Sequence, residues 1–419
     1  MKIYLSILNS AFLSLILFSS NGYAHASETP QPNQNLNTKI QNVVERNRIK
    51  FDLSALAVSV KLPGKQSIHD YVSGSTMRQG GLKISESNLF QIGSITKSFI
   101  AAIILQLESE GKIDINSSMG VWFSQYPNWQ SVTVKQLLNQ TSGIYNYSDT
   151  PGFFSNLIKH PSRILKCEEL VKLAYQHQPN SYFPIGEGWH YSNTNYILAG
   201  MIIEKITGHS LNEEINRRLL LKKLHNTFYL PYPKIVLGRL VHGYNDAQSI
   251  SPQRANLPLH TDITGIGMSW AGAAGALISN SHDIALWTKS LFDGTTLQPK
   301  QLAEMLTLVS MKTGQPVERS RGTGYGLGVG SNIGELPFNK KYGKVYDHSG
   351  GTLGYSAYFI YLPCYDLIIT FTANATVKST DKLEQIINDV IAVVLKSDEW
   401  QEYKKKHRFP SYCLHSLGR

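Results

Sequence analysis

The sequence predicts an α/β fold of the α+β type, with an antiparallel sheet built from N- and C-terminal segments, flanked by helices, and a mainly helical region inserted between them. Three observations predict it. β-rich runs gather near residues 55–72 and again near 355–371. The long middle, about 116–324, carries helical patterning and extended loops. An apolar stripe at helical spacing follows the last strand-like run. A composition of 42% hydrophobic and 17% charged residues over 419 positions excludes a disordered chain.

Taken in order, the N-terminus has the form of a secretory signal peptide over residues 1–26. Lys2 supplies the positive end, residues 3–18 are mostly apolar, and Ala24-His25-Ala26 offers a small-x-small cleavage site. Ser6, Asn9, Ser10 and Ser14 interrupt the run, which argues against a retained span of about 20 apolar residues. An exported protein, periplasmic or secreted, is expected. A polar lead with Pro30 and Pro32 then runs into a helix over 37–48, within a lead segment of 27–49.

Residues 55–62 read as a buried strand, Pro63-Gly64 as a turn, and 67–72 as the hairpin partner. Ser94 opens a strong helical pattern that runs to Glu110 and stops at Gly111. Further helices are expected over 196–207, ended by Gly208, over 211–221, and over 282–292, capped by Ser279 or Ser281. Strands return at 355–361 and 367–371, separated by Pro363-Cys364-Tyr365-Asp366. The final helix presents Leu383, Ile386, Ile387, Val390 and Val394 on one side. The expected domain is therefore 50–395, its sheet region about 50–115 and 325–395, followed by a basic tail over 396–419.

Net charge is +10, with its densest run at Lys404-Lys405-Lys406-His407-Arg408. That run reads as a solvated tail able to touch an anionic surface weakly. Nothing resembles a nucleic-acid module. Cys167, Cys364 and Cys413 are too few for a disulfide framework; a Cys364–Cys413 bridge and three structural thiols both fit.

Three short strings carry the chemistry: Ser94-Ile95-Thr96-Lys97, Tyr191-Ser192-Asn193 and His348-Ser349-Gly350-Gly351. They supply a nucleophile, two proton carriers, an amide clamp and a glycine-edged strand, the parts needed to open an acyl group through a covalent serine intermediate. Each string has a rival copy, so context decides. Ser94 sits where Gln91-Ile92-Gly93 hands over to an apolar helix, whose unpaired N–H groups favour an attacking alkoxide and its oxyanion. Lys97 lies one turn on, among apolar neighbours that would lower its pKa. Ser109 and Lys112 lie at the helix's polar end, and Ser379 with Lys382 in a polar loop. Tyr191 and Asn193 are expected on a loop held by the helix that follows, with the Tyr191 pKa lowered by nearby cations; Tyr126 and Asn128 repeat only the spacing. Lys312-Thr313-Gly314 precedes a segment that cannot continue a strand, whereas His348 to Gly351 leads into an alternating one.

With Leu89 to Phe99, Val132 to Gly143, Pro184 to Asn195, Ala274 to Ser279 with Asp283, Gly324 to Gly328 and His348 to Gly354, the chain resembles the penicillin-recognising serine hydrolases. The closest branch holds class C β-lactamases, DD-carboxypeptidases, D-aminopeptidases and related esterases. The resemblance implies a β-lactamase/transpeptidase-like fold over roughly 50–395. It implies Ser94 as the acylated nucleophile, with Lys97 and Tyr191 sharing general-base and general-acid duty. Asn193 would hold the acyl-side amide, and the N–H groups of Ser94 and Gly351 would form the oxyanion hole. His348, Ser349 and Gly350 would line the leaving-group side.

A histidine at 348 is closer to carboxypeptidase-type members than to the lysine of the lactamase pattern. Only Lys340, Lys341 and Lys344 offer charge just upstream, with no arginine between Gly322 and His348. The expected function is an exported D-alanyl-D-alanine carboxypeptidase-like or D-amino-acid peptidase acting on a small-molecule or peptide substrate. An esterase or β-lactamase is the alternative of the same fold, and a catalytically quiet penicillin-binding protein the alternative of another class. No metal-ligand string such as His-Glu-x-x-His occurs, and no cofactor is expected.

Overall fold

The computed structural model describes residues 35–220, 223–245, 257–317, 323–331, 342–376, 380–409 and 413. The expected signal peptide, most of the lead, Lys340, Lys341, Ser379 and the side chains of Lys382 and Leu383 lie outside the described residues. Among the described residues no helix is long and apolar enough to cross a membrane.

The central strands of the sheet are buried on both faces: Ala55–Lys61 and Leu367–Ala373 are buried at every position. Strands β1 (Ala55–Lys61), β2 (Ile68–Gly74), β5 (Gly324–Tyr325), β6 (Gly330–Ser331), β7 (Tyr346–Gly351), β8 (Ser356–Leu362) and β9 (Leu367–Ala373) pair antiparallel in the order β2-β1-β9-β8-β7-β6-β5. The N-terminal hairpin is thus joined to the C-terminal strands through β1 and β9, with Val58 opposite Phe371. A separate two-stranded ladder joins β3 (Phe90–Gln91) to β4 (Ile278–Ser279).

The principal helices are α1 (Leu36–Lys50), α2 (Thr96–Ser109), α3 (Asn193–Thr207), α4 (Ser281–Phe292), α5 (Thr380–Leu395) and α6 (Asp398–Lys406). Period-2 side chains divide the sheet between two cores. Leu56, Val58 and Val60 of β1, with Tyr358 and Ile360 of β8, pack with Ile40, Val43 and Val44 of α1 and Ile386, Ile387, Val390 and Val394 of α5. Ala357 and Phe359 point the other way, toward α2. Helix α2 is apolar nearly all round because it lies between sheet and helical region; Phe99, Ile100, Ile103, Ile104 and Leu107 are all buried.

Three boundaries differ from the sequence reading. The cap of α4 is neither Ser279 nor Ser281 but Asn280, whose Oδ1 accepts from Asp283 N at 2.8 Å. The helix expected over 211–221 is α-helical only over Leu211–Ile215 and continues as a π turn over Asn216–Leu220. The basic tail is not wholly a tail. Helix α6 buries Trp400 against Tyr365, ring centroids 5.0 Å apart, and a Cys364–Cys413 disulfide ties the segment to the β8–β9 turn. Lys405, Lys406, His407 and Arg408 are still exposed.

On the sheet face under α4, His282 Nδ1 lies 2.7 Å from Asp70 Oδ2, and Ser59 donates to the other carboxylate oxygen at 2.5 Å. The hydrogen bond to Asp70 raises the His282 pKa against the opposing pull of burial. Because the folded pKa exceeds the unfolded value of about 6.5, this stabilisation is complete below that pH and is lost as pH rises through the folded pKa. His282→Gln is therefore expected to flatten a plot of Tm against pH between about pH 6 and 8. An unchanged slope would show that the pair contributes nothing.

Candidate active site

The turn that presents Ser94 is clamped before the helix begins. Ile92 N donates to Leu277 O at 3.0 Å, Thr96 Oγ1 donates to Gly93 O at 2.7 Å, and the same hydroxyl accepts from Leu277 N at 3.1 Å. Gly93 has φ +50°, a left-handed conformation natural to glycine. Gly93–Ile95 form one 3₁₀ turn that runs directly into α2, which leaves Ser94 half-buried at the helix tip.

Strand β7 comes up against this turn. A Cβ on Gly350 would meet Ile92 O at 1.9 Å and Ser94 N at 3.2 Å, and one on Gly93 would meet Gly351 N at 2.7 Å. Only glycines permit this approach, which sets the N–H groups of Ser94 and Gly351 in the same corner. β6 pairs with β7 at Gly330↔Asp347, so that ladder stops before Ser349. Gly350→Ala is expected to push β7 off the turn, costing more than about 3 kcal/mol and most of the activity. Wild-type urea midpoint and turnover in that variant would contradict the packing.

Lys97 is wholly buried. Its Nζ lies 3.1 Å from Ser94 Oγ, 2.8 Å from Asn193 Oδ1 and 2.7 Å from Ala274 O. The Tyr191 ring is 4.7 Å away and the Tyr196 ring 5.4 Å. Among the described residues no carboxylate pairs with it. Burial without a counter-charge pushes its pKa far below the usual lysine range. Asn193 Oδ1 and Ala274 O can only accept, so a neutral amine gives them its two N–H groups and turns its lone pair to Ser94 Oγ.

Tyr191 corrects the sequence reading. Its pKa is raised, not lowered: burial outweighs the hydrogen bond to Ser94 that favours the phenolate. A phenol so placed keeps its proton and can give it away. Asn193 corrects it too, because it is the first residue of α3 and not part of the preceding loop. The cap comes from far along the chain, where Asn146 Oδ1 accepts from Asn193 N at 3.0 Å while Ser192 makes no side-chain cap. Asn193 Nδ2 donates to Ser148 Oγ at 3.1 Å, which fixes the amide with its oxygen on Lys97.

His348 is buried on the α2 side of β7, and burial, reinforced by Lys97 where that amine is protonated, pushes its pKa down to about 3. Its Nδ1 lies 2.6 Å from Ser349 O and its Nε2 3.0 Å from Tyr325 OH. The partial charge expected of a histidine near neutrality is therefore absent. Ser349 is half-buried, and Gly351 is exposed at the strand's end.

A crevice with about 30 Å³ of free volume opens over Ser94, lined also by Tyr147, Asn193, Trp270, Gly351 and Thr352. Sequence reasoning did not single out Tyr147, Ser148, Trp270 or Tyr325 as site residues. Only Tyr325 had a local signal, a tyrosine between the glycines of Gly324-Tyr325-Gly326-Leu327-Gly328. The rival strings lie elsewhere in kind. Ser109 Oγ donates to Gln106 O while Lys112 pairs with Glu110 at 2.8 Å, and Tyr126 packs 5.0 Å from Tyr175 in the helical core. Lys312 is exposed on a loop whose Gly314 rests against Gly188.

This arrangement can carry out acyl transfer, and known proteins share its frame. The Beta-lactamase family model matches residues 43–393. Penicillin-binding protein 4* of Bacillus subtilis (strain 168) is 27% identical over 280 residues, 66% of this chain and 58% of that relative. The chain thus spans little more than half of that relative's length. A D-stereospecific amidohydrolase from Streptomyces sp. superposes with TM-score 0.67 at 27% identity, covering 86% of this chain and 98% of that one. The D-amino acid amidase of Ochrobactrum anthropi SV3 shares the fold, with TM-score 0.70 at 24% identity over 89% of this chain and 99% of its own. With the match running through both the sheet and the inserted helical region, the chain belongs to the Beta-lactamase family.

Proposed function

We propose that this protein hydrolyses amide or peptide bonds on the carbonyl side of D-amino acid residues, through an acyl-enzyme on Ser94. The observation that carries the reading is the contact of Lys97 with Ser94 in a pocket that holds no pairing carboxylate among the described residues. Neutral Lys97 takes the Ser94 proton as Oγ attacks the acyl carbon. The carbonyl electrons move onto oxygen, held by the N–H groups of Ser94 and Gly351. Tyr191 gives its proton to the leaving nitrogen as the C–N bond breaks, and the Lys97 ammonium restores it. Water then attacks the ester, its proton passing back through the same pair, and Ser94 is released. Asn193 steadies both Lys97 and the acyl side.

The D-configuration is supported by the D-stereospecific amidohydrolase and D-amino acid amidase that share the fold. Export is supported by the signal-like N-terminus and by the Cys364–Cys413 bridge, a bond that persists in oxidising compartments. The test pairs mass and stereochemistry. Intact-mass measurement after exposure to benzylpenicillin is expected to show an adduct that Ser94→Ala lacks. Hydrolysis of D-alaninamide is expected to exceed that of L-alaninamide by at least about 10²-fold. An adduct in the alanine variant would unseat Ser94, and equal rates on the two enantiomers would unseat the D-preference.

A further inference from the structure

Tyr325 reaches the site from the far edge of the sheet, on a two-residue strand, and its hydroxyl ends 3.0 Å from His348 Nε2. The direction of that hydrogen bond follows from the other side of the ring. Ser349 O can only accept, so the 2.6 Å contact at Nδ1 requires Nδ1 to carry the proton. Nε2 of the neutral ring is then the acceptor, and Tyr325 must donate. Both ring nitrogens are thereby spent within the protein.

We propose that Tyr325 is a specificity-determining residue: by donating to His348 Nε2 it holds His348 neutral and without a free N–H, and so selects leaving groups that carry no carboxylate.

The location of these residues gives the proposal its meaning. A group that protonates the departing nitrogen must touch it, so the leaving group lies at the Tyr191 end of the cleft. Tyr325 stands beside Tyr191, ring centroids 6.4 Å apart and perpendicular, and its ring lies 5.7 Å from that of His348. The titratable groups facing His348 are Lys97 from α2 and Tyr325 from β5, and Tyr191 and Tyr196 neighbour those two in turn. Asp347, its neighbour in sequence, turns to the opposite face and accepts from Tyr358 OH at 2.7 Å.

Lys97 is occupied by Ser94, Asn193 and Ala274. A carboxylate entering here would lose its water and meet a lone-pair-bearing ring already satisfied by Tyr325, a costly exchange. A neutral amide or ester leaving group makes no such demand. The low His348 pKa agrees with this geometry, since burial opposes a second ring proton.

The inference rests on the acyl-enzyme reading, and its test separates the two. Two substrates share one acyl group, N-acetyl-D-alanine; one ends in a D-alaninamide leaving group and the other in D-alanine with its free carboxylate. Wild-type kcat/KM is expected to favour the amide by at least about tenfold. Tyr325→Phe is expected to narrow that ratio about five- to tenfold, chiefly through a lower KM for the carboxylate substrate and most strongly below pH 6. Nitrogen-15 NMR of the wild-type protein supplies a readout independent of any variant: the His348 ring should remain in the neutral Nδ1–H form from pH 5 to 9. Equal or reversed preference in the wild type, a doubly protonated ring at pH 6, or an unchanged ratio in the phenylalanine variant would each overturn the role of Tyr325. Benzylpenicillin carries a carboxylate beside its departing nitrogen, so the separating probe is a fluorophosphonate, which carries none and expels fluoride: its adduct on Ser94 with an unchanged ratio rejects Tyr325 alone. Absence of that adduct rejects the acyl-enzyme reading and this inference together.

Discussion

Ser94→Ala is expected to lower kcat/KM by at least about 10⁴-fold while leaving the thermal midpoint nearly unchanged. The hydroxyl is the atom to be acylated, and among the described residues no second serine, threonine or cysteine hydrogen-bonds Lys97. What remains in the variant is the glycine-edged corner, the Asn193 clamp and the shaped crevice, which can bind and polarise but form no covalent bond. The stability side follows from the packing. Ser94 is half-buried, and Thr96, Ile92 and Leu277 hold its turn through bonds that do not involve its hydroxyl. Steady-state kinetics with a D-amino acid amide, together with a melting curve, checks both halves. A residual rate within tenfold of wild type would mean that another group carries the acyl intermediate.

Lys97→Met is the second large effect, and it separates catalysis from stability. Loss of a general base costs about 10² to 10⁴ in kcat. The stability effect depends on pH and has a defined sign. Because the folded pKa of Lys97 is depressed below its unfolded value of about 10.4, the unfolded chain binds the extra proton throughout the interval between the two. Wild-type stability should therefore rise with pH across that interval, and Lys97→Met should lack this component of the slope. At any one pH the variant gains from the absent desolvation cost and loses from the unmet Asn193 Oδ1 and Ala274 O acceptors, which makes the slope the cleaner observable. Urea unfolding at pH 6 and pH 9 measures it. A slope identical to wild type would show that the lysine keeps an ordinary pKa in the fold. The same titration predicts an acid limb in the kcat/KM profile, since protonation of Lys97 removes the lone pair that faces Ser94.

Much of the site could be read from the strings because their internal geometry is local. Ser94 and Lys97 share a helical face by spacing alone, and the handover from Gly93 to an apolar run places that face at a helix tip. The period-2 runs at 55–62 and 355–371 likewise carry their own strand character, and the stripe through Ile386, Ile387, Val390 and Val394 carries its helix. The rival copies were set aside on the same local grounds, and Ser109 is indeed bonded back to its own helix.

Other features depended on residues far apart in the chain. Asn193 opens α3 because Asn146, 47 positions earlier, caps it. Asn280 outcompetes Ser279 and Ser281 as a cap by reaching Asp283 N. The expectation of a lowered Tyr191 pKa counted cations brought near by the site and could not count buried volume, which has the larger effect. The charge of His348 was open for the same reason: a lone histidine titrates near neutrality, and only Tyr325, Lys97 and the Ser349 carbonyl, assembled from three elements, remove that freedom. The sequence by itself determined which atoms can react, because reactivity resides in side-chain type and short spacing. Tertiary structure decided where the protons rest, because a pKa and a hydrogen-bond direction are set by the dielectric and the partners that packing brings within 3 Å or so of each group.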